Sequence, residues 1–405
     1  MKKLITLYFD SFRGLSREVW VLALITLINR AGTMVIPFLS LYLAESKGFS
    51  LTEIAWIMSA FGLGSVAGSW LGGFLNDRVG YYKAMVFSLL SSGIMFILVQ
   101  YGEQFWAICS LVFLVILFAD IFRPAMFVAL KAYSKVENQT RSLSLIRLAI
   151  NLGFAVGPAI AGFLIYNWSY SSLFWVDGVT CFAAALVLLY ALNPKKSVVI
   201  QEKEELESPQ SAYKDGQFML FFVGMMCMAF VFLQYFSTVP LYYSQAYGLS
   251  EEYIGLILGF NGFLVFVVEM PLMKYLEKSK KAVTYYVIIG MLLLTLSFAV
   301  LNVFSGVWVL WVGIALMSFS EIYAFPFSNK YAMNRSKRGK AGQYMALYSI
   351  SFSVAHIIGH NTGFQLIEKS GYNFTWWIMT IISLLGVFFI YLLYRQQKLK
   401  SKIKV

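Results

Sequence analysis

Charge is scarce in this chain of 405 residues: Asp, Glu, Lys and Arg together make up 13%. A soluble domain carries roughly 25%. That shortage excludes an ordinary water-soluble fold, because 59% of the residues are hydrophobic and the mean hydropathy is +0.70. Histidine is scarcer still, with two in all, and the three cysteines (Cys109, Cys181, Cys227) lie inside apolar stretches. So few ligands at such spacings define no metal site and no disulfide framework. There is no nucleophile elbow and no phosphate-binding glycine loop. The G-x-G of "GLGSVAG" (62–68) lies in an apolar helical run with no preceding strand, so it reads as packing. Neither an enzyme nor a cofactor is expected.

What the chain does have is long apolar runs. Twelve reach the roughly 20 residues needed to cross a bilayer, near 18–44, 52–74, 84–101, 105–131, 142–166, 170–193, 217–243, 251–274, 281–303, 306–332, 341–367 and 372–395. They are continuous rather than alternating, which excludes a membrane β-barrel. No cleavable signal peptide is expected, since the first run holds Arg30 and is long enough to span. The 18% of aromatic residues suits chains whose Trp and Tyr ring the membrane interfaces.

The basic residues orient the chain. With both termini in the cytoplasm, 27 of the 32 Lys and Arg fall in cytoplasmic segments and two, Lys47 and Lys369, fall outside. The other three, Arg30, Arg123 and Arg147, lie within spans. This is the positive-inside pattern, and it accounts for the net charge of +12 without any nucleic acid. The expected location is the cell membrane, with the lipid bilayer as solvent.

The two halves repeat at an offset of about 200 residues. "IPFLSLYLAESKGFSLTEI" (36–54) echoes "VPLYYSQAYGLSEEYI" (239–254), "FADIFRPA" (118–125) echoes "FSEIYAFPF" (319–327), and "GPAIAGFLI" (157–165) echoes "GHNTGFQLI" (359–367). The expected fold is all-α and integral to the membrane, with twelve transmembrane helices in two six-helix pseudo-repeated bundles. Residues 1–193 form the first bundle, 194–216 a hydrophilic cytoplasmic linker, and 217–405 the second. Such repeats belong to carriers that rock one half against the other.

Between the second and third runs stands Gly73-Phe74-Leu75-Asn76-Asp77-Arg78-Val79-Gly80-Tyr81-Tyr82-Lys83. It resembles the G-x-L-x-D-R-x-G-R-[KR] loop of the major facilitator superfamily, with Lys83 one place later than the basic end of that pattern. The resemblance extends over essentially the whole chain. It implies a conformational latch of Gly73, Asp77, Arg78, Gly80 and Lys83. Gly73 would let helix 2 approach a neighbour closely. Gly80 would permit a tight turn. Asp77 would face a helix N-terminus or an arginine. Glu269, near the cytoplasmic end of helix 8, is the candidate for the mirrored latch. In helix 5, "GFAVGPAIAG" carries Gly153, Gly157, Pro158 and Gly162. It is similar to the G-x-x-x-G-P-x-x-G-G motif of the drug–proton antiporter branch.

Ionisable groups at membrane depth are functional candidates by default. Asn29 and Arg30 sit near the middle of helix 1. Asp120 and Arg123 lie three apart on helix 4 and can pair. Glu321 is the repeat partner of Asp120. His356 and His360 are four apart on helix 11, and Asp177 lies in the outer part of helix 6. Asp177 reads as structural, and Arg147 lies close enough to a helix end to snorkel. In the superfamily, helices 1, 4, 7 and 10 line the central cavity. That resemblance makes Asn29, Arg30, Arg123 and Gln234 candidates for contact with a small-molecule substrate. Glu321, Asp120, His356 and His360 are the candidates for handling a coupling ion, expected to be H⁺. The implied function is secondary active transport by a monomer: proton-coupled export of amphipathic compounds of the multidrug type. The alternative is a symporter that imports a sugar, peptide or siderophore. The oligopeptide branch is disfavoured, because "LINRAGTMVIPF" in helix 1 lacks the glutamates of the E-x-x-E-R-F motif.

Overall fold

The computed structural model describes residues 14–32, 34–135, 138–194, 211–276, 279, 281–336 and 341–403. Residues 1–13 and 195–210 lie outside that description, and with them most of the expected linker. Among the described residues every regular element is a helix. Hydrocarbon offers backbone N–H and C=O groups no partner, so a spanning segment satisfies them within itself.

Ten spans follow in order: α1 (Arg17–Ser46), α2 (Leu51–Val79), α3 (Tyr81–Val99), α4 (Phe105–Tyr133), α5 (Arg141–Asn167), α6 (Tyr170–Ala191), α7 (Gly216–Phe236), α8 (Glu251–Met273), α9 (Val283–Val303) and α10 (Val307–Ser336). The next apolar stretch, Gln343–Leu399, has 57 residues. Gly371 divides it, with φ +76° inside otherwise helical backbone. This makes two spans, α11 (341–370) and α12 (372–403), and the total is the expected twelve.

Several spans are interrupted. α1 leaves helical geometry after Ala31 and resumes at Val35. The hydrogen-bond ladder of α4 is interrupted at Ile121, where Pro124 has no N–H to give the carbonyl of Asp120, although the backbone stays helical. α7 tightens into a 3₁₀ turn at Leu233–Phe236 and continues as a short helix, Thr238–Tyr247. α11 widens into a π turn at Ala355–Gly359. Such breaks free backbone groups, which need partners from neighbouring helices.

The chain packs as two compact units, residues 1–36 with 63–201 and residues 37–62 with 202–405. It therefore passes between units within α1 and again within α2. Leu22, Leu89, Phe122, Met126 and Leu188 belong to the core of the first unit. Phe218, Tyr235, Phe298, Tyr344 and Trp376 are fully buried in the second. Segment 37–62 is bonded into that second unit. Ser40 donates to the Ser237 carbonyl at 2.7 Å and Ser59 to the Ile357 carbonyl at 3.2 Å. Ser244 and Thr52 donate to the carboxylates of Glu45 and Glu368.

Candidate functional site

In the first unit, three glycines four residues apart seat α2 on α4. A Cβ added at Gly64 would come within 2.5 Å of the Phe113 carbonyl oxygen, and one at Gly68 would come closer still to the Leu117 oxygen. At Gly72 it would meet the Pro124 ring at 2.7 Å. This close seam places Ser65 beside the interrupted ladder of α4, where its hydroxyl donates to the Asp120 carboxylate. Asp120 is half-buried, and its hydrogen-bond partner is Ser65 across the seam. Arg123, three residues on, is exposed. Ile121 keeps helical dihedrals, φ −62° and ψ −33°, so the two residues stay one turn apart, and it is Ser65 that takes the Asp120 carboxylate. Arg30 lies in the electrostatic reach of both.

Arg30 stands at the end of the first segment of α1. There α5 approaches closely: a Cβ at Gly153 would meet the Cβ of Arg30 at 2.6 Å, and one at Gly157 the Ala31 oxygen at 3.1 Å. Pro158 and Gly162 lie further along the same helix. On the other side, Gly32 lies so near Thr180 of α6 that any side chain there would overlap its hydroxyl. The buried Asp177 accepts from the N–H groups of Met34 at 3.0 Å and Val35 at 2.9 Å. It thus caps the resumed segment of α1 from a neighbouring helix. Asn29 contacts the sulfur of Cys181 on α6 at 3.9 Å. Of these contacts, the Asp177 cap had no signal in the sequence, which placed the residue but not its partners.

The second unit repeats the arrangement. Asn261 of α8 donates to the Glu321 carboxylate at 3.1 Å and to Ser318 at 3.0 Å. The acid on helix 4 or 10 is thus held in each half by a polar residue on helix 2 or 8. One turn from Glu321 begins an aromatic wall shared by α7, α10 and α11. Ring centroids are 4.9 Å apart for Phe232–Phe325, 5.7 Å for Phe325–Phe352, 5.5 Å for Tyr348–Phe352 and 5.9 Å for Phe221–Tyr348. His356 and His360 continue the α11 face, with Nδ1 and Nε2 3.2 Å apart. Gln234 is fully buried. Its amide nitrogen donates to the Gly359 carbonyl at 2.8 Å, and its oxygen accepts from Thr238 at 2.9 Å. Its polar atoms thus tie the break in α7 to the π turn in α11.

In the loop after α2, Gly80 has φ +83°, the turn expected of it. The close approach expected at Gly73 occurs one residue earlier, because the four-residue stripe continues to Gly72. A Cβ at Gly73 would meet nothing within 4 Å. Asp77, Arg78 and Lys83 are exposed. Arg78 lies over the Phe74 ring at 4.8 Å. Glu269 is buried near the end of α8.

A further ionic cluster joins the ends of α7, α10 and α11. The carboxylate of Asp215 takes Arg335 in bidentate fashion, with Nε and Nη2 each at 2.6 Å. It also accepts from Tyr344 at 2.9 Å and caps α7 through the N–H of Phe218. Burial pushes the Asp215 carboxyl up. The hydrogen bonds of Arg335, Tyr344 and Phe218 outweigh burial and hold it below the usual carboxylate range. In the first unit Ser16 caps α1 and donates to the Tyr133 carbonyl at the end of α4 at 3.0 Å. Each bundle therefore straps the start of its first helix to the end of its fourth. Sequence reading missed this strap, because Asp215 stands at the edge of the charged linker and resembles its neighbours.

Comparisons with known proteins agree with this architecture. The family model described as Major Facilitator Superfamily matches residues 20–360. An uncharacterized MFS-type transporter of Bacillus subtilis is 25% identical, covering 94% of this chain and 95% of its own. A Na⁺, Li⁺, K⁺/H⁺ antiporter of Planococcus maritimus is 21% identical, with 82% and 85% covered. Sugar efflux transporter A of Escherichia coli is 22% identical, with 88% and 91% covered. Among solved structures, a POT family transporter in complex with 5-aminolevulinic acid superposes with a TM-score of 0.79 at 15% identity, covering 95% and 97% of the two chains. The nucleoside transporter NupG superposes with 0.75 at 13% identity, covering 94% and 99%. Two pseudo-repeated six-helix bundles, interrupted spans with acids at mid-depth and a family match over most of the length have one conclusion: the chain belongs to the Major Facilitator Superfamily of membrane transporters.

Proposed function

We propose that this transporter expels amphipathic organic compounds across the cell membrane in exchange for protons, by alternating access. The observation that carries the reading is Glu321, a carboxylate at mid-span of α10 one turn from an aromatic wall. Aromatic faces bind flat apolar surfaces and attract cations. A carboxylate in the same place suits a cationic head, and a protonated one would release it. Exchange of a proton for a cation at one acid is the simplest form of antiport. Asp120, held alike by Ser65, is the second proton candidate, with Arg30, Asn29 and Arg123 toward substrate. The helix-5 glycines and relatives named for antiport and for sugar efflux support export over import. In this reading the transporter is a monomer, its termini are cytoplasmic, and Asp77 with its neighbours at the end of α2 and Glu269 act as latches.

The test is proton movement in everted vesicles. After the lumen is acidified, amphipathic cations, zwitterions and sugars are added singly while a dye follows lumenal pH. Alkalinisation triggered by a compound and abolished in Glu321→Gln is the expected result. No response, together with proton-driven uptake in right-side-out vesicles, favours the importing symporter instead. One relative is named for alkali-cation/proton antiport. For that reason Na⁺ and K⁺ belong in the panel, and a response confined to them makes the cargo a cation.

A further inference from the structure

The face of α11 that continues the aromatic wall carries Tyr348, Phe352, His356 and His360, each four residues from the last. The facing stripe of α10 carries Glu321, Phe325 and Ser328. The two helices run antiparallel. The hydroxyls of Ser328 and Tyr348 are 2.8 Å apart, and the rings of Phe325 and Phe352 are 5.7 Å apart. One turn further along this seam, the register carries Glu321 to the level of His356.

The two imidazoles form a bonded unit. At 3.2 Å between His356 Nδ1 and His360 Nε2, one ring donates and the other accepts, so one proton lies between them. The π turn Ala355–Gly359 that carries them is held open by its neighbours. Gln234 donates to the Gly359 carbonyl, and Ser59 donates to the Ile357 carbonyl. Gly62 approaches so closely that a Cβ there would meet the His356 backbone at 2.8 Å. Single π turns of this kind recur at functional sites. The second observation is independent. His360 is 3% exposed, yet its Nδ1 has no hydrogen-bond partner. A buried polar atom left this way costs about 1–3 kcal/mol and calls for an explanation.

Neighbouring helices supply groups about the pair. α2 contributes Ser59 and Phe61, whose ring centroid lies 6.0 Å and 6.1 Å from the two imidazoles. α7 contributes Phe230 and Gln234, and α8 contributes Asn261 through its bond to Glu321. Glu321 is the ionisable group that the register of α10 brings to the level of His356.

We infer that Glu321, His356 and His360 hold the coupling proton jointly, as one store reaching from the aromatic wall to the buried Nδ1 of His360. This rests on the proton-coupled reading above. The transfer balances. A proton leaving the Glu321 carboxyl enters His356 at Nε2, and the His356–His360 pair then carries one added proton and one positive charge, shared across the Nδ1–Nε2 hydrogen bond. Loss of that proton to water leaves the pair neutral and Glu321 ionised, able to take a cationic substrate in the proton's place.

The chain has only these two histidines, so ¹⁵N-histidine labelling reads the pair without interference. The experiment is a pH titration of labelled full-length protein in lipid nanodiscs, as parent and as Glu321→Gln. Both rings should change over one common pH interval, and that interval should move in the variant. Two separate intervals, or a common one that Glu321→Gln leaves in place, overturns the inference. In vesicles, His356→Gln and His360→Gln should each lower compound-triggered proton movement by about a hundredfold or more, the scale of a lost proton-transfer group. Counterflow of labelled against unlabelled compound needs no net proton and should fall far less. Proton movement equal to the parent's in either variant also overturns the inference. A parent that moves no protons with any compound defeats the exporter reading alone, and the titration still decides for or against the shared store.

Discussion

Asp177 shows how one residue can hold a functional helix in an unusual shape. Its carboxylate accepts from two backbone N–H groups at the break in α1. Without it, both donors would face an apolar interior at about 1–3 kcal/mol each. Asp177→Ala should therefore lower the melting temperature in detergent markedly. Asp177→Asn keeps one acceptor oxygen and should lose less. Equal melting temperatures for parent and Asp177→Ala would show that α1 is held by packing alone. Asp215 allows a test by pH. Its folded pKa is depressed, so its contribution is present above the unfolded carboxylate value of about 3.9 and is lost as pH falls through the folded value. Asp215→Asn should melt below the parent at pH 7, and the gap should close as the pH is brought below about 4.

At the scale of elements, small residues decide how close two helices come. Gly68 faces the backbone of α4, with no room for a Cβ, whereas Gly73 faces open space. Gly68→Ala must push α2 and α4 apart and should cost about 1–3 kcal/mol. Gly73→Ala should stay within about 0.5 kcal/mol of the parent. Thermal unfolding of the two variants side by side checks this. A larger loss at Gly73 would mean that its role lies in a conformation other than this one. The stripe was visible in the sequence as "GLGSVAG" and read as packing. Which of the paired glycines, Gly72 or Gly73, meets the neighbour depends on how far α2 is rotated about its axis, and no local pattern encodes that rotation.

At the scale of the whole molecule, segment 37–62 stands out, because it belongs to the second compact unit although it follows directly from the first segment of α1. Its bonds to residues 237, 244, 357 and 368 are side-chain hydrogen bonds. Such bonds contribute about 0.5–1.5 kcal/mol each and can be broken in turn. If transport requires this segment to leave the second unit, tying it down stops the cycle. The side chains of Glu45 and Ser244 are bonded to each other, so in the double variant Glu45→Cys, Ser244→Cys a short bifunctional thiol reagent that reduction cleaves should join the two positions. Transport should then halt and recover on reduction. Transport that continues through the cross-link would show that the segment stays in place.

Length, hydropathy and repeats by themselves determined an all-helical membrane protein of twelve spans in two related bundles. Lipid makes that possible: each span must satisfy its own backbone, so the signal is local and accumulates over about 20 residues. The acids and histidines at membrane depth were legible for the same reason, because a charge among apolar neighbours is conspicuous. Their partners were left to the tertiary structure. Ser65 rather than Arg123 bonds Asp120, Asp177 caps α1, Gln234 is spent on a π turn, and Arg335 returns to Asp215. These pairings depend on where helices break and on the face each turns to its neighbour. Both are set by non-local packing, which the spacing of residues along one segment does not record.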